Sequence, residues 1–304
     1  MSETTDPVLL STRDLAAGQR TEVWVVDVVT GRRELVHSTA DLLLEAPNWA
    51  PDGAGLLLNG HGLLWRLDLE SGQLAKVAIT ELPPINNDHV VDAPRGLIYL
   101  SANDGHLYVA PVTGGTATRI SHDSDRFHFL HGVSPDGAVL AFVDLPRNDF
   151  SAAGRLALIP SGGGATTYPD AGRRHLDGPE YSADGIWLYV NTEDFGSRPG
   201  HAQLARVPAD GGELEQLVES DTVDWFPHLS PDGRFAAYIS FPTGTLGHPA
   251  DLDVQITIVD VGDWSTPLHT IGLFGGQGTM NVNSWSPDSR RLAYVAYPLG
   301  SQLS

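Results

Sequence analysis

The chain contains no cysteine. A disulfide framework, a cysteine nucleophile and a thiolate metal site are therefore excluded. Positive charge is scarce. Lys and Arg total 18 against 38 Asp and Glu, which leaves a net charge of −20. Nucleic-acid binding rests on basic residues that neutralise phosphates, so no nucleic-acid partner is expected. No anionic membrane surface is expected either. No apolar run is long enough to span a bilayer. Met1–Leu10 lacks the basic and apolar regions of a secretion signal. The expectation is a cytoplasmic protein.

Turn-forming residues are plentiful: 33 Gly and 21 Pro accompany 41% apolar residues. That composition indicates a turn-rich β protein with a full core. One motif recurs as Trp49-Ala50-Pro51-Asp52-Gly53, Val133-Ser134-Pro135-Asp136-Gly137, Tyr181-Ser182-Ala183-Asp184-Gly185, Leu229-Ser230-Pro231-Asp232-Gly233 and Trp285-Ser286-Pro287-Asp288-Ser289. A degenerate copy is Asp92-Ala93-Pro94-Arg95-Gly96. The spacings are 43, 41, 48, 48 and 56 residues, the length of a propeller blade. Pro presets the first corner of a tight turn, and Gly supplies the positive φ that follows. An apolar strand follows each clear copy, as in Val139–Val143 and Phe235–Ile239, and then come an alternating strand and a Gly-rich turn.

The ends complete the count. Thr21–Asp27 and Glu34–His37 read as third and fourth strands with no preceding turn motif. The C-terminus supplies only a first and a second strand, around Trp285 and Tyr294. The fold class is all-β, a six-bladed β-propeller with four-stranded blades over residues 1–304 as one domain. N-terminal and C-terminal strands pair in one blade, which removes exposed sheet edges.

The Trp/Tyr-Ser-Pro-Asp-Gly repeat resembles the TolB-like propeller family, and the resemblance covers essentially the whole chain. It specifies the fold and not the function. Related blades occur in prolyl-oligopeptidase-type peptidases and in oligogalacturonate lyases. No Gly-x-Ser-x-Gly elbow is present, so the activity of those peptidases is set aside. The lyases are seven-bladed and hold a metal with His and Gln. Their ligands do not align residue by residue with this sequence.

The resemblance makes the strand before each turn motif the innermost one, lining an axial channel. Polar residues concentrate there: Glu45, Asn48, Asn86, Asn87, Asp88, His89, His128, His131, Asp177, Glu180, Asp224, His228, Gln277, Thr279, Asn281 and Asn283. Alternation along a strand keeps some of them from the channel. A wet channel is polar in any propeller, so each His taken alone is a satisfied structural group unless several converge. We expect His89, His131 and His228 as catalytic residues and metal ligands, with Gln277 as a further ligand. The divalent metal would be Mn, Zn, Ni or Ca, and no organic cofactor is expected. Substrate contacts fall to Glu45, Asn87, Asp177, Arg198, His248 and Asn281. Long connections at 145–153, 193–201 and 241–252 belong on the same face. The Gly-rich stretch 274–281 permits close backbone approach to a ligand.

The activity expected from this set is a metal-assisted lyase, or a hydrolase, acting on a uronate-containing oligosaccharide. Two other functions compete with it. One is a non-catalytic TolB-like scaffold with a protein partner. The other is a Ca-dependent, lactonase-like hydrolase using Glu45, Asp177 and Asp224.

Overall fold

The computed structural model describes residues 13–300, so the reading of Met1–Leu10 lies outside the described residues. Six antiparallel blades follow one another around an axis. Blades one to five start with inner strands Glu45–Trp49, Ile85–Asp92, Arg126–Val133, Leu176–Tyr181 and Val223–Leu229. Blades one, two, four and five are four-stranded sheets. In blade three the fourth position is a single bridge between Leu158 and Thr167. Blade six joins Thr21–Asp27, Arg33–Thr39 and Arg291–Ala296, and its inner position is the bridge Trp285 to Leu292. Closure is the antiparallel pairing of Glu22–Asp27 with Arg291–Ala296, the joining of the two ends expected from the sequence. Among the described residues, no helix is long and apolar enough to cross a membrane.

The turn motif is a hydrogen-bonded unit. Ser134, Ser182, Ser230 and Ser286 each donate their hydroxyl to the Asp two residues on. Each hydroxyl oxygen also accepts the backbone N–H that begins the next strand, from Val139, Trp187, Phe235 and Arg291. The turn thus satisfies the backbone groups it strands. Gly follows because that corner is left-handed, with φ of 65° at Gly137 and 70° at Gly233.

The inner strands are not regular. All five slip in register against their neighbours, between Glu45 and Asn48, Ile85 and His89, Leu130 and Gly132, Asp177 and Glu180, and Trp225 and His228. In three blades the residue five before the turn Pro position is left-handed: Ala46 at 53°, Gly178 at 62° and Phe226 at 55°. An extra residue of this kind breaks the strand's alternation and re-aims the side chains around it. Two of the three are not glycine, so the backbone holds strain beside the axis.

Candidate active site

The bulges gather one position from each blade. Six residues before the turn Pro position stand Glu45, Asp88, Phe129, Asp177, Trp225 and Asn281. The first five line a single axial cavity of about 640 Å³. Its wall is divided by chemistry. Blades one and two contribute Glu45, Asp88 and four asparagines, Asn59, Asn86, Asn87 and Asn103. Each asparagine leaves one buried amide atom without a hydrogen-bond partner: Oδ1 of Asn59 and Asn103, and Nδ2 of Asn86 and Asn87. Such orphans cost about 1–3 kcal/mol each and call for a ligand or water. Blades three and five contribute the aromatic side, Phe129, Phe150, Trp225 and Phe226.

Three histidines and Asp177 form the polar bridge between these halves. His131 Nε2 meets Asp177 Oδ1 at 3.0 Å, and the Gly178 N–H donates to the same oxygen at 2.7 Å. Burial pushes the Asp177 carboxyl up, but the bond and charge of His131 overcome this and hold it down at about 2. Burial likewise opposes charge on His131, and its two carboxylate neighbours, Asp177 and Asp88, raise it nonetheless. His175 Nε2 faces Asp177 Oδ2 at 3.8 Å. The Gly154 N–H occupies His175 Nδ1 at 2.9 Å, leaving Nε2 as the donating side.

Asp88 and His248 are pushed in opposite directions. Burial raises Asp88 to about 7, reinforced by Asp177 and Glu45 and opposed by His131. Burial also raises Glu45, against the pull of Arg13. His248 lies between Trp225 and Phe226, at ring distances of 4.4 and 5.0 Å. Burial lowers it, so the neutral ring is favoured. Its Nδ1 donates to Gln277 Oε1, which leaves the Nε2 lone pair free of that bond.

The 274–281 stretch is part of this wall. A Cβ on Gly276 would collide with the Pro249 carbonyl, and one on Gly278 with Glu45 and Tyr297. These glycines bring backbone against neighbouring protein segments rather than against the expected ligand.

The structure separates the expected residues into three groups. Glu45, Asn87, His131, Asp177, His248 and Gln277 border the cavity. Asn281 stands behind Gln277, donating from Nδ2 to its Oε1 at 3.1 Å and accepting the Gly278 N–H. The others are spent elsewhere. Both ring nitrogens of His228 face acceptors, Glu180 Oε2 at 2.6 Å and the Met280 carbonyl at 3.0 Å. His89 is fully buried, neither ring nitrogen has a partner, and burial pushes it down to about 4. Neither histidine borders the cavity. Arg198 donates to the Asp221 carbonyl at 2.7 Å, away from the cavity wall. Asp224 is tied to Ser220 and Thr222 at 2.6 and 2.9 Å, which removes it from an axial carboxylate cluster.

The expected metal set therefore does not fit. His89, His131, His228 and Gln277 do not converge, and Gln277 Oε1 already accepts from His248 and Asn281. Among the described residues, no three His, Cys, Asp or Glu side chains are disposed around one ion. Of the three long connections, 145–153 and 241–252 reach the cavity, and 193–201 does not. The residues missed in the sequence are Asp88 as a titrating group, His175, Arg13, Asn59 and Asn103.

No protein-family model matches the chain. A relative from Agrobacterium fabrum, Atu1656, is 36% identical over 284 residues, covering 91% of this chain and 92% of its own. A solved structure named for TolB from Agrobacterium tumefaciens superposes with a TM-score of 0.83 at 35% identity, covering 92% of this chain and 99% of that one. The chain belongs to the TolB-like six-bladed β-propeller family. An oligogalacturonate lyase in complex with manganese shares the propeller fold at a TM-score of 0.54 and 15% identity, over 92% of this chain and 77% of the lyase. Within the TolB-like family, the axial cavity is the place where this chain's polar groups converge.

Proposed function

We propose that this TolB-like propeller is a carbohydrate-active enzyme that binds an uncharged sugar in the axial cavity and hydrolyses it by acid–base chemistry. The observation that supports it most is the divided wall. A sugar hydroxyl both donates and accepts, matching orphaned amide donors and acceptors on blades one and two. The apolar face of a sugar ring matches the aromatic side contributed by Trp225, Phe226 and Phe129. Groups whose environments push their pKa values apart mark the acid and the base. Asp88 keeps its proton near neutral pH and gives it to the leaving glycosidic oxygen. His248, neutral, takes a proton from the water that forms the new C–O bond as the old one breaks. The Asp177–His131 pair stays charged and orients the sugar hydroxyls.

A uronate-directed lyase is the less supported version of the same reading. It needs a cation against the sugar carboxylate. Arg13 is the one Lys or Arg at the wall among the described residues. Its guanidinium already meets Glu45 at 3.3 Å and Asp251 at 3.4 Å. His228 and Gln277, two donors of the expected metal set, are committed to Glu180 and His248. A protein-interaction scaffold is favoured by one feature, the exposed Phe150 and Leu246 at the cavity.

The test is product release from neutral and uronate oligosaccharides, with Asp88→Asn and His248→Ala as controls. We expect reducing ends from a neutral substrate and a loss of about 100-fold or more in kcat for each variant. Unsaturated products from uronates alone would replace hydrolysis by elimination. No product and no binding of any sugar would leave the scaffold.

A further inference from the structure

We infer that the sugar this cavity takes carries an apolar substituent, an aryl or alkyl aglycone, which rests on a lip formed by Phe150, Leu145 and Leu246. The inference builds on the proposed sugar-binding function and names the substrate class more narrowly.

Two of the three long connections extend over the cavity, one from blade three and one from blade five. Each delivers an apolar side chain to its edge. Phe150 is 40% exposed and Leu246 is 71% exposed. They are the two of the large exposed apolar side chains among the described residues that border this cavity; Val29, Leu35 and Ile186 lie elsewhere. Scattered apolar residues are ordinary on a surface, but a patch continuous with a pocket marks a binding region.

Phe150 is held rather than loose. It stands edge-on to Phe127 at 5.4 Å and to Phe129 at 6.2 Å, and those two rings stack at 4.8 Å. Phe129 belongs to the ring of inner-strand residues at the cavity wall. The aromatic side of the cavity therefore continues outward from blade three through Phe129 to Phe150, and Leu145 borders the same cavity. Leu246 sits against Gly200, where a Cβ would press on its methyl group at 2.6 Å. Arg147, beside Phe150 in sequence, is turned away: it donates to the Asp104 carbonyl at 2.6 Å and covers Phe127. Among the described residues, Arg13 is the one Lys or Arg that borders the cavity, and it is paired with Glu45 and Asp251.

A free sugar would leave this lip in water. A sugar bearing an aryl or alkyl group would bury it while its hydroxyls reach the asparagines. Stacked and edge-on aromatic contacts suit a phenyl ring in particular.

The test uses methyl and phenyl thioglycosides of glucose, galactose, mannose and xylose, which resist turnover, titrated calorimetrically into the full-length protein. We expect the phenyl compound of at least one sugar to bind about tenfold or more tighter than its methyl partner. The preference should vanish in Phe150→Ser and Leu246→Ser, whose exposed positions leave folding intact, as checked by circular dichroism. Binding of the methyl and phenyl compounds with equal affinity would overturn the lip and leave the sugar pocket standing. A phenyl preference that survives both variants would also overturn it. No binding of any compound would overturn the pocket itself.

Discussion

Two carboxylate–histidine pairs lie close to the same axis, and they differ in what surrounds them. In one, Glu180 Oε2 meets His228 Nδ1 at 2.6 Å. Every remaining group there is used: Glu180 Oε1 accepts from the Leu229 N–H and from Asn283 Nδ2, both at 2.7 Å, and His228 Nε2 faces the Met280 carbonyl. In the other, Asp177 meets His131 at 3.0 Å at the wall of an open cavity. The first pair ties blades four, five and six together. The second leaves its outer side open to the cavity. The two carboxylates are three residues apart on one inner strand, with the left-handed Gly178 between them. The same residue types become a lock or a working site according to which side of the bulge they stand on.

Breaking the lock should have the largest effect on stability. Glu180→Ala strands a buried histidine and two donors, and we expect a loss of about 3–5 kcal/mol in denaturant unfolding. Asp177→Asn should cost less, about 1–3 kcal/mol, because water in the cavity can reach the bereaved His131. Its larger effect should be on sugar binding. If the two substitutions cost the same in stability and neither touches binding, the distinction between the pairs is wrong.

The next effect is pH dependence. Asp88 is raised to about 7 from an ordinary carboxyl value of 3.8. Between those values the folded chain keeps a proton that the unfolded chain has lost, so stability falls as pH rises through that window. The full span corresponds to on the order of 4 kcal/mol. Asp177, held at about 2, acts in the opposite sense: its stabilisation is present above its unfolded value and is lost as pH falls toward 2. Unfolding of Asp88→Asn followed from pH 4 to 8 should show a flatter decline than the parent chain. The smallest effect belongs to the backbone. Ala46→Gly relieves a left-handed residue at φ 53° and should stabilise by about 1 kcal/mol at most. A destabilisation there would mean that the Ala46 methyl packs rather than strains.

The blades were legible because their signal is local and repeated. The Ser-Pro-Asp-Gly turns, the apolar strands after them and the unpaired strands at the two ends together specify six blades and their closure. The site was legible only in part. Counting back from each Pro by twos assumes an unbroken strand, and the left-handed residue five before it breaks that count. Only Gly178 announces the break in its residue type; Ala46 and Phe226 do not. His131 therefore borders the cavity while His228, one residue off its register, is locked into the wall. His89 stands on the inner strand as expected, yet the bulge between Ile85 and His89 places Asp88 at the cavity instead. Arg198 and Asp224, expected at the site, are instead bonded to Asp221 and Ser220. Arg13 lies before the first blade strand, and no repeat relates it to the axis.

The most direct measurement is calorimetric titration of neutral sugars and their glycosides into the parent chain and into Asp88→Asn, at pH 6 and pH 8. We expect binding by the parent chain that weakens at pH 8 as the Asp88 carboxyl ionises, and binding by Asp88→Asn that is equal at the two pH values. Binding that is the same in both chains at both values, or no binding in either, would contradict the assignment of the axial cavity as an acid–base sugar site.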